Sequence, residues 1–463
     1  MSYQDFIDCK QCDQINAGFD PQEGFYPVQA KPHQKVSVSW ACRRGRAALF
    51  FDTGLGKTLA QLMWAEQVWM HTDRPVLILA PLAVSHQTAR EGDKFGITAQ
   101  VVSHQSDIKG PGIFITNYEK LDHFDCSQFA GVVLDESSIL KGLHGKLRKQ
   151  ITDSFRDTPY KLSCTATPSP NDYMELGTQS EFLGIMSQVE MLAMYFIHDG
   201  ADTQKWRLKG HGKSRFWEWL STWAIFLTSP ADLGFDGTEY ELPPIEYHEH
   251  IVETAPTDSL FVEPAQGLLE RNRARKESID QRVEIAASIA NDLNEPCVVW
   301  CHLNEESEKL HNRIDNSVEV TGSSSDTHKA TSMIEFADGQ IKALVTKPKI
   351  AGFGMNWQSS RHCIFVGLSD SWEAFYQAIR RQWRFGQKRT VHVHIVSADT
   401  EGAVVENIKR KDRQHNEMAE SMMQHMRDLT QKTVLGATIE KTDYQPQTEF
   451  KTPPFLSISE AIA

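Results

Sequence analysis

The stretch "LFFDTGLGKTLAQLMWA", Leu49 to Ala65, joins an apolar run to a helical pattern through a glycine-rich loop that ends in Lys-Thr. A turn of this kind between a strand and a helix exposes backbone N–H groups, and the helix N-terminus adds its positive end. The stretch therefore predicts a strand–loop–helix unit that holds a phosphate chain. The full phosphate-loop pattern has a glycine six residues before the lysine, where this chain has Phe51. Other segments must support the prediction.

Composition limits the class of protein. A chain of 463 residues with 40% hydrophobic residues can bury large cores, and its length predicts about two to four domains. The 48 basic and 61 acidic side chains give a net charge of −13, so a nucleic acid would need a local basic lining. No uncharged apolar run approaches the roughly 18 residues of a membrane span, and the N-terminus lacks a signal pattern. We expect a cytoplasmic protein, in a bacterial or phage-infected cell, without membrane contact.

Two short patterns resemble metal-ligand spacings. Cys9 and Cys12 have zinc-ligand spacing, but a structural zinc site needs four ligands and no second pair stands nearby. We interpret them as ordinary thiols, because scattered cysteines are typical of a reducing compartment. His248 and His250 alternate on a predicted strand, where a solvated face is favoured over a metal site.

The order of predicted elements indicates two α/β lobes. Apolar β-rich runs alternate with helical patterns from residue 46 to about 168, and again from about 282 to 400, as in parallel doubly wound sheets. The aromatic-rich segment between them reads as largely helical. The predicted units are an N-terminal extension over 1–27, a first lobe over 28–184, a helical insertion over 185–245, a linker over 246–281, a second lobe with its following helix over 282–429, and a mobile tail over 430–463.

An acidic pair follows a buried strand of the first lobe. The run "GVVLDESS" puts Asp135 and Glu136 directly after three apolar residues. One such carboxylate can hold Mg²⁺ and the next can orient an attacking water. Together with the lysine loop upstream, the pair predicts nucleotide hydrolysis.

In the order of its motifs the chain resembles the superfamily 2 helicase-like ATPases, specifically the Swi/Snf-type DNA translocases in their compact phage or prophage form. The matching segments, over about residues 28–415, are "DTGLGKT" for motif I, "LDESSILK" for the DEAH box, "TATPSPNDYMEL" for motif III, "AGFGMN" for motif V and "QAIRRQWRFGQKRTVHVHIV" for motif VI. The resemblance implies an α/β fold of two RecA-like doubly wound parallel-sheet lobes with a helical insertion between them. The Gly-Gln ending of motif VI favours duplex DNA.

The resemblance also implies an ATP and Mg²⁺ site between the lobes. Its ATP-binding residues are Gln34, which reads adenine, the loop residues Thr53, Gly54, Leu55, Gly56, Lys57 and Thr58, and Gly354 of motif V. Thr58 and Asp135 are the implied Mg²⁺ ligands, and Glu136 activates water. Arg381 and Arg384 are the implied arginine fingers. The alternative for these arginines is a solvated helix face, since Arg380 is adjacent.

DNA contacts are implied in both lobes. The candidates, which act through backbone groups on phosphates, are Pro81, Leu82, Thr116, Asn117, Thr321 and Gly322. In the insertion, Lys205, Arg207 and Lys209 interleave with tryptophans, which fits a DNA-facing surface. An amphipathic helix pair with core tryptophans is equally compatible with this pattern. We expect binding without sequence preference, and the C-terminal tail is a candidate site for a protein partner.

The favoured function is an ATP-dependent translocase on duplex DNA. A strand-separating helicase or RNA remodeller with the same ATPase is the first alternative, and an ATP-gated clamp is the second. Two residues depart from the family pattern: Ser138 replaces the usual histidine after the acidic pair, and Thr53 replaces the usual methionine. Serine can hydrogen-bond but carries no charge, so the departure bears on how ATP state is coupled to nucleic acid.

Overall fold

The computed structural model describes residues 18–141, 145–169, 172–199, 202–253, 278–351, 355–369 and 371–435. The predictions for Cys9, Cys12, Gly354 and residues 436–463 of the tail lie outside these ranges.

The described strands and helices alternate along most of the chain. The strands are β1 (Arg46–Phe51), β2 (Val76–Ala80), β3 (Ala99–Val101), β4 (Ile113–Asn117), β5 (Gly131–Asp135), β6 (Tyr160–Cys164), β7 (Phe196–Asp199), β8 (Asp202–Leu208), β9 (Ala224–Leu227), β10 (Ile245–Val252), β11 (Cys297–Trp300), β12 (Ser317–Val320), β13 (Ala343–Thr346), β14 (His362–Val366) and β15 (Val391–Ala398). The α-helices are α1 (Pro32–Arg44), α2 (Lys57–Thr72), α3 (Leu82–Phe95), α4 (Lys146–Ser154), α5 (Glu175–Leu183), α6 (Gln188–Tyr195), α7 (Lys213–Ser221), α8 (Ile279–Asp292), α9 (Asn304–Arg313), α10 (Asp326–Ala337), α11 (Pro348–Ala351), α12 (Trp372–Ile379) and α13 (Gly402–Val434).

The first lobe is built on a parallel sheet with strand order β3-β4-β2-β5-β6-β1-β9. Its strands read as continuous apolar runs because helices cover both faces. In β1, Phe50 packs into the core on one face and Phe51 into the core on the other, where α2 also packs. The carboxyl ends of parallel strands share one edge, so the loops after β1 and β5 lie on the same side of the sheet.

The second lobe repeats this architecture. Its sheet has the order β10-β15-β14-β11-β13-β12, and every pair is parallel. The two parallel-sheet lobes confirm the predicted α/β fold class.

The segment predicted as a helical insertion is only partly helical. It contributes α6 and α7, but β7 and β8 form an antiparallel hairpin, and β9 pairs with β1 in the first sheet. The short apolar run of β9, "AIFL", does not distinguish strand from buried helix by periodicity. The segment predicted as largely helical therefore contains strands at Phe196–Asp199, Asp202–Leu208 and Ala224–Leu227.

The long helix α13 contacts both lobes. Its first turns pack with the second sheet through Val404 and Ile408, whereas Met422 and Met426 pack into the core of the first lobe. The helix continues to Val434, so residues 430–434 are helical rather than part of the predicted tail. Within the described ranges, no helix combines the length and apolarity needed to span a bilayer.

Candidate active site between the two lobes

A cavity of about 390 Å³ lies between the lobes. This volume falls within the roughly 300–1,000 Å³ of small-molecule sites. Most residues predicted to bind nucleotide or to catalyse hydrolysis line it, namely Gln34, Thr53, Gly54, Gly56, Lys57, Thr58, Asp135, Glu136, Arg381 and Arg384. The structure thus brings together in one cavity residues that are far apart in the sequence.

The loop between β1 and α2 depends on its glycines for both conformation and space. Gly54 and Gly56 have φ of +96° and +77°, in the left-handed region that favours glycine. A Cβ at Gly56 would lie 1.8 Å from Nε2 of Gln34, and one at Gly54 would lie 2.6 Å from Cβ of Phe385 in the second lobe. The loop therefore lies against both α1 and the second lobe.

Gln34 holds the loop against α1. Its Oε1 accepts from the backbone N–H of Lys31, and its Nε2 donates to the carbonyl of Leu55, each at 2.9 Å. A ring nitrogen of His33 also contacts the carbonyl of Leu55, at 3.0 Å. The side chain of Leu55, predicted to contact ATP, is only 2% exposed and packs in the core below the loop. Leu55 therefore supports the loop from beneath.

Lys57 and the acidic pair form the charged floor of the cavity. The Lys57 ammonium is buried without a hydrogen-bond partner among the described residues, and its Nζ lies 3.8 Å from Oε1 of Glu136. Burial and the adjacent Glu136 raise the pKa of Asp135 to about 7. Glu136 has a φ of +54°, and the Thr165 hydroxyl donates to its Oε2 at 3.4 Å. A strained backbone at a carboxylate that lines a cavity is typical of functional sites.

Arg381 and Arg384 enter the cavity from the turn after α12. Nε and Nη2 of Arg381 each donate to Gln377 at 2.9 Å, and both arginines donate to the carbonyl of Met355. Arg381 is 3% exposed, and its burial together with neighbouring Arg384 lowers its pKa to about 9. The solvated-face alternative is therefore wrong for Arg381, whose guanidinium is buried and held by neutral acceptors.

A contact across the lobes was missed from the sequence. Nη2 of Arg380 donates to Oδ2 of Asp52 at 2.9 Å, and the Tyr376 hydroxyl donates to Oδ1 at 3.1 Å. Oδ1 also accepts from the backbone N–H of Thr53 at 2.6 Å. The Arg380 guanidinium lies over the rings of Tyr376 and Trp383, at 4.9 and 4.4 Å. Asp52 stands next to the phosphate loop, but nothing local to it indicates a partner in the other lobe.

Tyr240 is a second cavity residue that was not predicted from the sequence. It lines the cavity from the segment between β9 and β10. Its ring meets His33 edge-on at 5.5 Å and lies 4.5 Å from the ring of Phe385. No sequence pattern distinguishes a single aromatic residue in a loop as part of a cavity.

The predicted DNA-contacting residues lie at the carboxyl ends of strands in separate lobes. Pro81 follows β2 and Asn117 ends the neighbouring β4, with Oδ1 of Asn117 accepting from the N–H of Lys120. Thr116 is 1% exposed, so its side chain is inaccessible. Thr321 and Gly322 follow β12, at the edge of the second sheet.

The basic segment of the insertion divides between packing and surface. Nζ of Lys209 donates to the carbonyls of Ala193 and Met194 at 2.7 and 3.0 Å, near the carboxyl end of α6. Trp217 is 1% exposed in the first-lobe core, as the packing alternative expects. Arg207 is exposed, and the side chain of Lys205 lies outside what the structure describes.

Comparison with protein families matches both lobes. Residues 31–176 match the DEAD/DEAH box helicase family, and residues 281–386 match the helicase conserved C-terminal domain. A Bacillus subtilis (strain 168) protein, YwqA, whose name proposes an ATP-dependent helicase/translocase, is 21% identical over 444 residues. That match covers 82% of this chain and 47% of YwqA, so the chain spans about half the length of this relative.

Two solved structures also match most of the chain. The Sulfolobus solfataricus SWI2/SNF2 ATPase core in complex with dsDNA is 18% identical, with 88% of this chain and 97% of that chain covered and a TM-score of 0.41. A Saccharomyces cerevisiae Dbp5 variant bound to RNA and ADP BeF3 is 11% identical, with 82% and 89% covered and a TM-score of 0.52. With a DEAD/DEAH box helicase domain and a helicase conserved C-terminal domain in order around one cavity, the chain carries the two domains of a superfamily 2 helicase-like protein.

Proposed function

We propose that this protein is a nucleic-acid-dependent ATPase, a motor that moves along duplex DNA without sequence preference by hydrolysing ATP between its lobes. One observation carries the proposal. Lys57, Asp135 and Glu136 of the first lobe share a single cavity with Arg381 and Arg384 of the second. Hydrolysis that needs groups from both lobes couples chemistry to their relative movement.

The residues of the cavity fit MgATP as the substrate. The buried Lys57 ammonium lacks a hydrogen-bond partner among the described residues, and the loop around Gly54 and Gly56 has no room for side chains. Both features suit a phosphate chain. Thr58 and Asp135 would hold Mg²⁺, which neutralises charge on the phosphate oxygens.

Catalysis is assigned to groups of both lobes. Glu136 orients the attacking water and accepts its proton, and the hydroxyl of Thr165 holds the carboxylate in place. Arg381 and Arg384 stabilise the charge that develops on the transferred phosphoryl group. Such arginines contribute about 10³ to 10⁵ in rate, so turnover is fast only while the lobes are closed.

Movement requires phosphate contacts in each lobe. Backbone groups near Pro81 and Asn117 would hold DNA on the first lobe, and those near Thr321 and Gly322 on the second. Closing and reopening of the cavity then shifts one set of contacts relative to the other. Contacts to phosphate alone give binding that depends on salt but little on base sequence.

The test measures ATP turnover with duplex DNA, single-stranded DNA and RNA, together with displacement of a triplex strand and unwinding of a fork. We expect the greatest stimulation by duplex DNA, and triplex displacement that Glu136→Gln abolishes. Stimulation by RNA alone would indicate an RNA remodeller, and fork unwinding without triplex displacement would indicate a strand-separating helicase. DNA binding that ATP modulates without displacement or unwinding would indicate a clamp.

A further inference from the structure

Five histidines and a glutamate line one face of the second sheet, away from the inter-lobe cavity. They lie on the adjacent strands β10, β15 and β14, where residues two apart share a face. Glu246 is in register with His392, and His248 with His394, while His362 is also in register with His392. Farther along the same face, Val252, Val366 and Val396 pack against α8. We call the part that precedes these valines the histidine face: Glu246, His248, His250, His362, His392 and His394.

Three ligand atoms of the histidine face converge. Nε2 of His248 lies 3.2 Å from Nδ1 of His392. Oε2 of Glu246 lies 3.3 Å from that Nδ1 and 3.9 Å from the Nε2 of His248. An ion with tetrahedral bonds of about 2.0–2.1 Å places its ligand atoms about 3.3–3.4 Å apart. The three separations are close to those of a tetrahedral metal site with one position open.

Hydrogen bonds within the protein account for only part of this arrangement. Nδ1 of His392 has either one proton or one lone pair, directed in the plane of its ring. If protonated, it can satisfy either Glu246 or His248; if not, it faces the acceptor oxygen of Glu246 with no proton between them. A cation at the centre of the three atoms accepts a lone pair from each.

We propose that Glu246, His248 and His392 bind a divalent transition-metal ion, with Zn²⁺ as the favoured ion and water completing its coordination. Imidazole with carboxylate is a ligand set that suits zinc. A neighbouring pair supplies further imidazole, since Nε2 of His250 lies 3.2 Å from Nδ1 of His394. Nε2 of His394 is buried without a hydrogen-bond partner among the described residues.

The position of the site gives the ion a structural role. β10 is one of the two edge strands of the described second sheet, and it directly follows the segment that carries Tyr240 to the cavity. The metal bonds join β10 to β15, so the ion fastens this edge strand. Because the ion binds the folded state, it raises the melting temperature.

The experiment uses the whole 463-residue chain, freed of metal with a chelator and carrying Cys9→Ser and Cys12→Ser. These two changes remove the other pair with zinc-ligand spacing. Zn²⁺ is titrated by calorimetry, and Co²⁺ is added as a visible-absorption probe of tetrahedral coordination. We expect one tight equivalent of Zn²⁺ and a melting temperature raised on the order of 5 °C at hundredfold excess over Kd. If the protein binds no Zn²⁺, the proposal is overturned.

Variants locate the ion. His248→Gln with His392→Gln should weaken Zn²⁺ binding at least tenfold, whereas His311→Gln, at an exposed histidine of the same lobe, should leave it unchanged. Asp135→Asn should still bind one equivalent of Zn²⁺. This result would show that the metal site is independent of the cavity and of the proposed function. The assignment is wrong if the double variant binds Zn²⁺ as tightly as the parent protein, or if Asp135→Asn no longer binds the one equivalent of Zn²⁺. Circular dichroism confirms that each variant is folded.

Discussion

The buried Lys57 ammonium is held weakly enough to exchange partners. Its 3.8 Å separation from Glu136 is an ion pair, but it is too long for a hydrogen bond. Burial of Asp135 beside the Glu136 carboxylate disfavours the charged form of Asp135, which is why its pKa is raised to about 7. A phosphate chain with its cation compensates these charges better than the protein does alone.

Removal of either cavity arginine tests the role of the second lobe. We expect Arg381→Ala or Arg384→Ala to lower kcat by about 10³-fold or more, because the developing phosphoryl charge loses a cation. Nucleotide affinity should change little, as measured by equilibrium binding. Arg389→Ala is the control, since Arg389 is half exposed and paired with Glu295. Normal turnover in both cavity variants would contradict catalysis by the closed lobes.

The pair of Asp52 and Arg380 should act as one unit. Asp52→Asn leaves the buried Arg380 guanidinium without its carboxylate, and Arg380→Gln removes the cation from the same contact. We expect each change to lower kcat, and the double variant to be no worse than the more damaging single one. Residues in direct contact show coupling of about 0.5–3 kcal/mol. Losses that simply add in ATPase assays would mean that this contact does not position the loop.

We expect Tyr240 to stack on the base of ATP. It lines the cavity together with Gln34 and Lys31, and its neighbour Glu239 pairs with Lys31. Stacking of a base on an aromatic ring contributes about 1–3 kcal/mol. Tyr240→Ala should therefore raise KM for ATP roughly tenfold or more, while Tyr240→Phe keeps the ring and should retain the parent value. A KM that rises equally in both variants would assign the effect to the hydroxyl instead.

Among the elements, α8 and α9 are joined by a buried ion pair. Nη1 of Arg282 lies 2.8 Å from Oε1 of Glu306, and both side chains are 0% exposed. Arg282→Met leaves the Glu306 charge buried without its partner, which costs about 3–5 kcal/mol. Arg313→Met, at a partly exposed ion pair with Glu284, should cost about 0–1 kcal/mol. Denaturant unfolding of the two variants measures the difference, and equal midpoints would contradict it.

Strand β6 contains a buried lysine that makes stability depend on pH. Burial and nearby Arg46 lower the pKa of Lys161 to about 7, and its Nζ donates to the carbonyls of Arg156 and Phe182. Between pH 7 and about 10.4 the unfolded chain binds more protons at this site. The free energy of unfolding should therefore rise with pH there, by up to about 1.4 kcal/mol per pH unit. Unfolding of Lys161→Met from pH 7 to 9 should lack this contribution; parallel curves would contradict it.

The elements that the sequence predicts are those with a local signature. Buried parallel strands read as apolar runs, and the loop before Lys57 and the acidic pair after β5 carry their chemistry in adjacent residues. β9 was not predicted as a strand of the first sheet, because its pairing with β1 joins distant parts of the chain. The contacts of Asp52 with Arg380, and of Tyr240 with Phe385, depend in the same way on how the lobes meet.

At the scale of the whole molecule, several contacts hold the lobes together. Asp52 pairs with Arg380, and Lys141 pairs with Glu373 of α12. The helix α13 adds a continuous connection, since its 33 residues extend about 50 Å at 1.5 Å per residue. A rigid helix packed on both lobes restricts the directions in which they can open. We propose that this restriction lets α13 convert closure into directed movement.

Detaching the far end of α13 tests this role. Met422 and Met426 are each 1% exposed against the first lobe, so Met422→Gln with Met426→Gln should weaken that packing. We expect ATPase without DNA to persist, while stimulation by duplex DNA and triplex displacement fall together. Glu417→Gln, at an exposed position of the same helix, is the control. If α13 served stability alone, basal and stimulated turnover would decline in proportion as the melting temperature falls. An unchanged ratio of stimulated to basal ATPase would therefore rule out a coupling role for the helix.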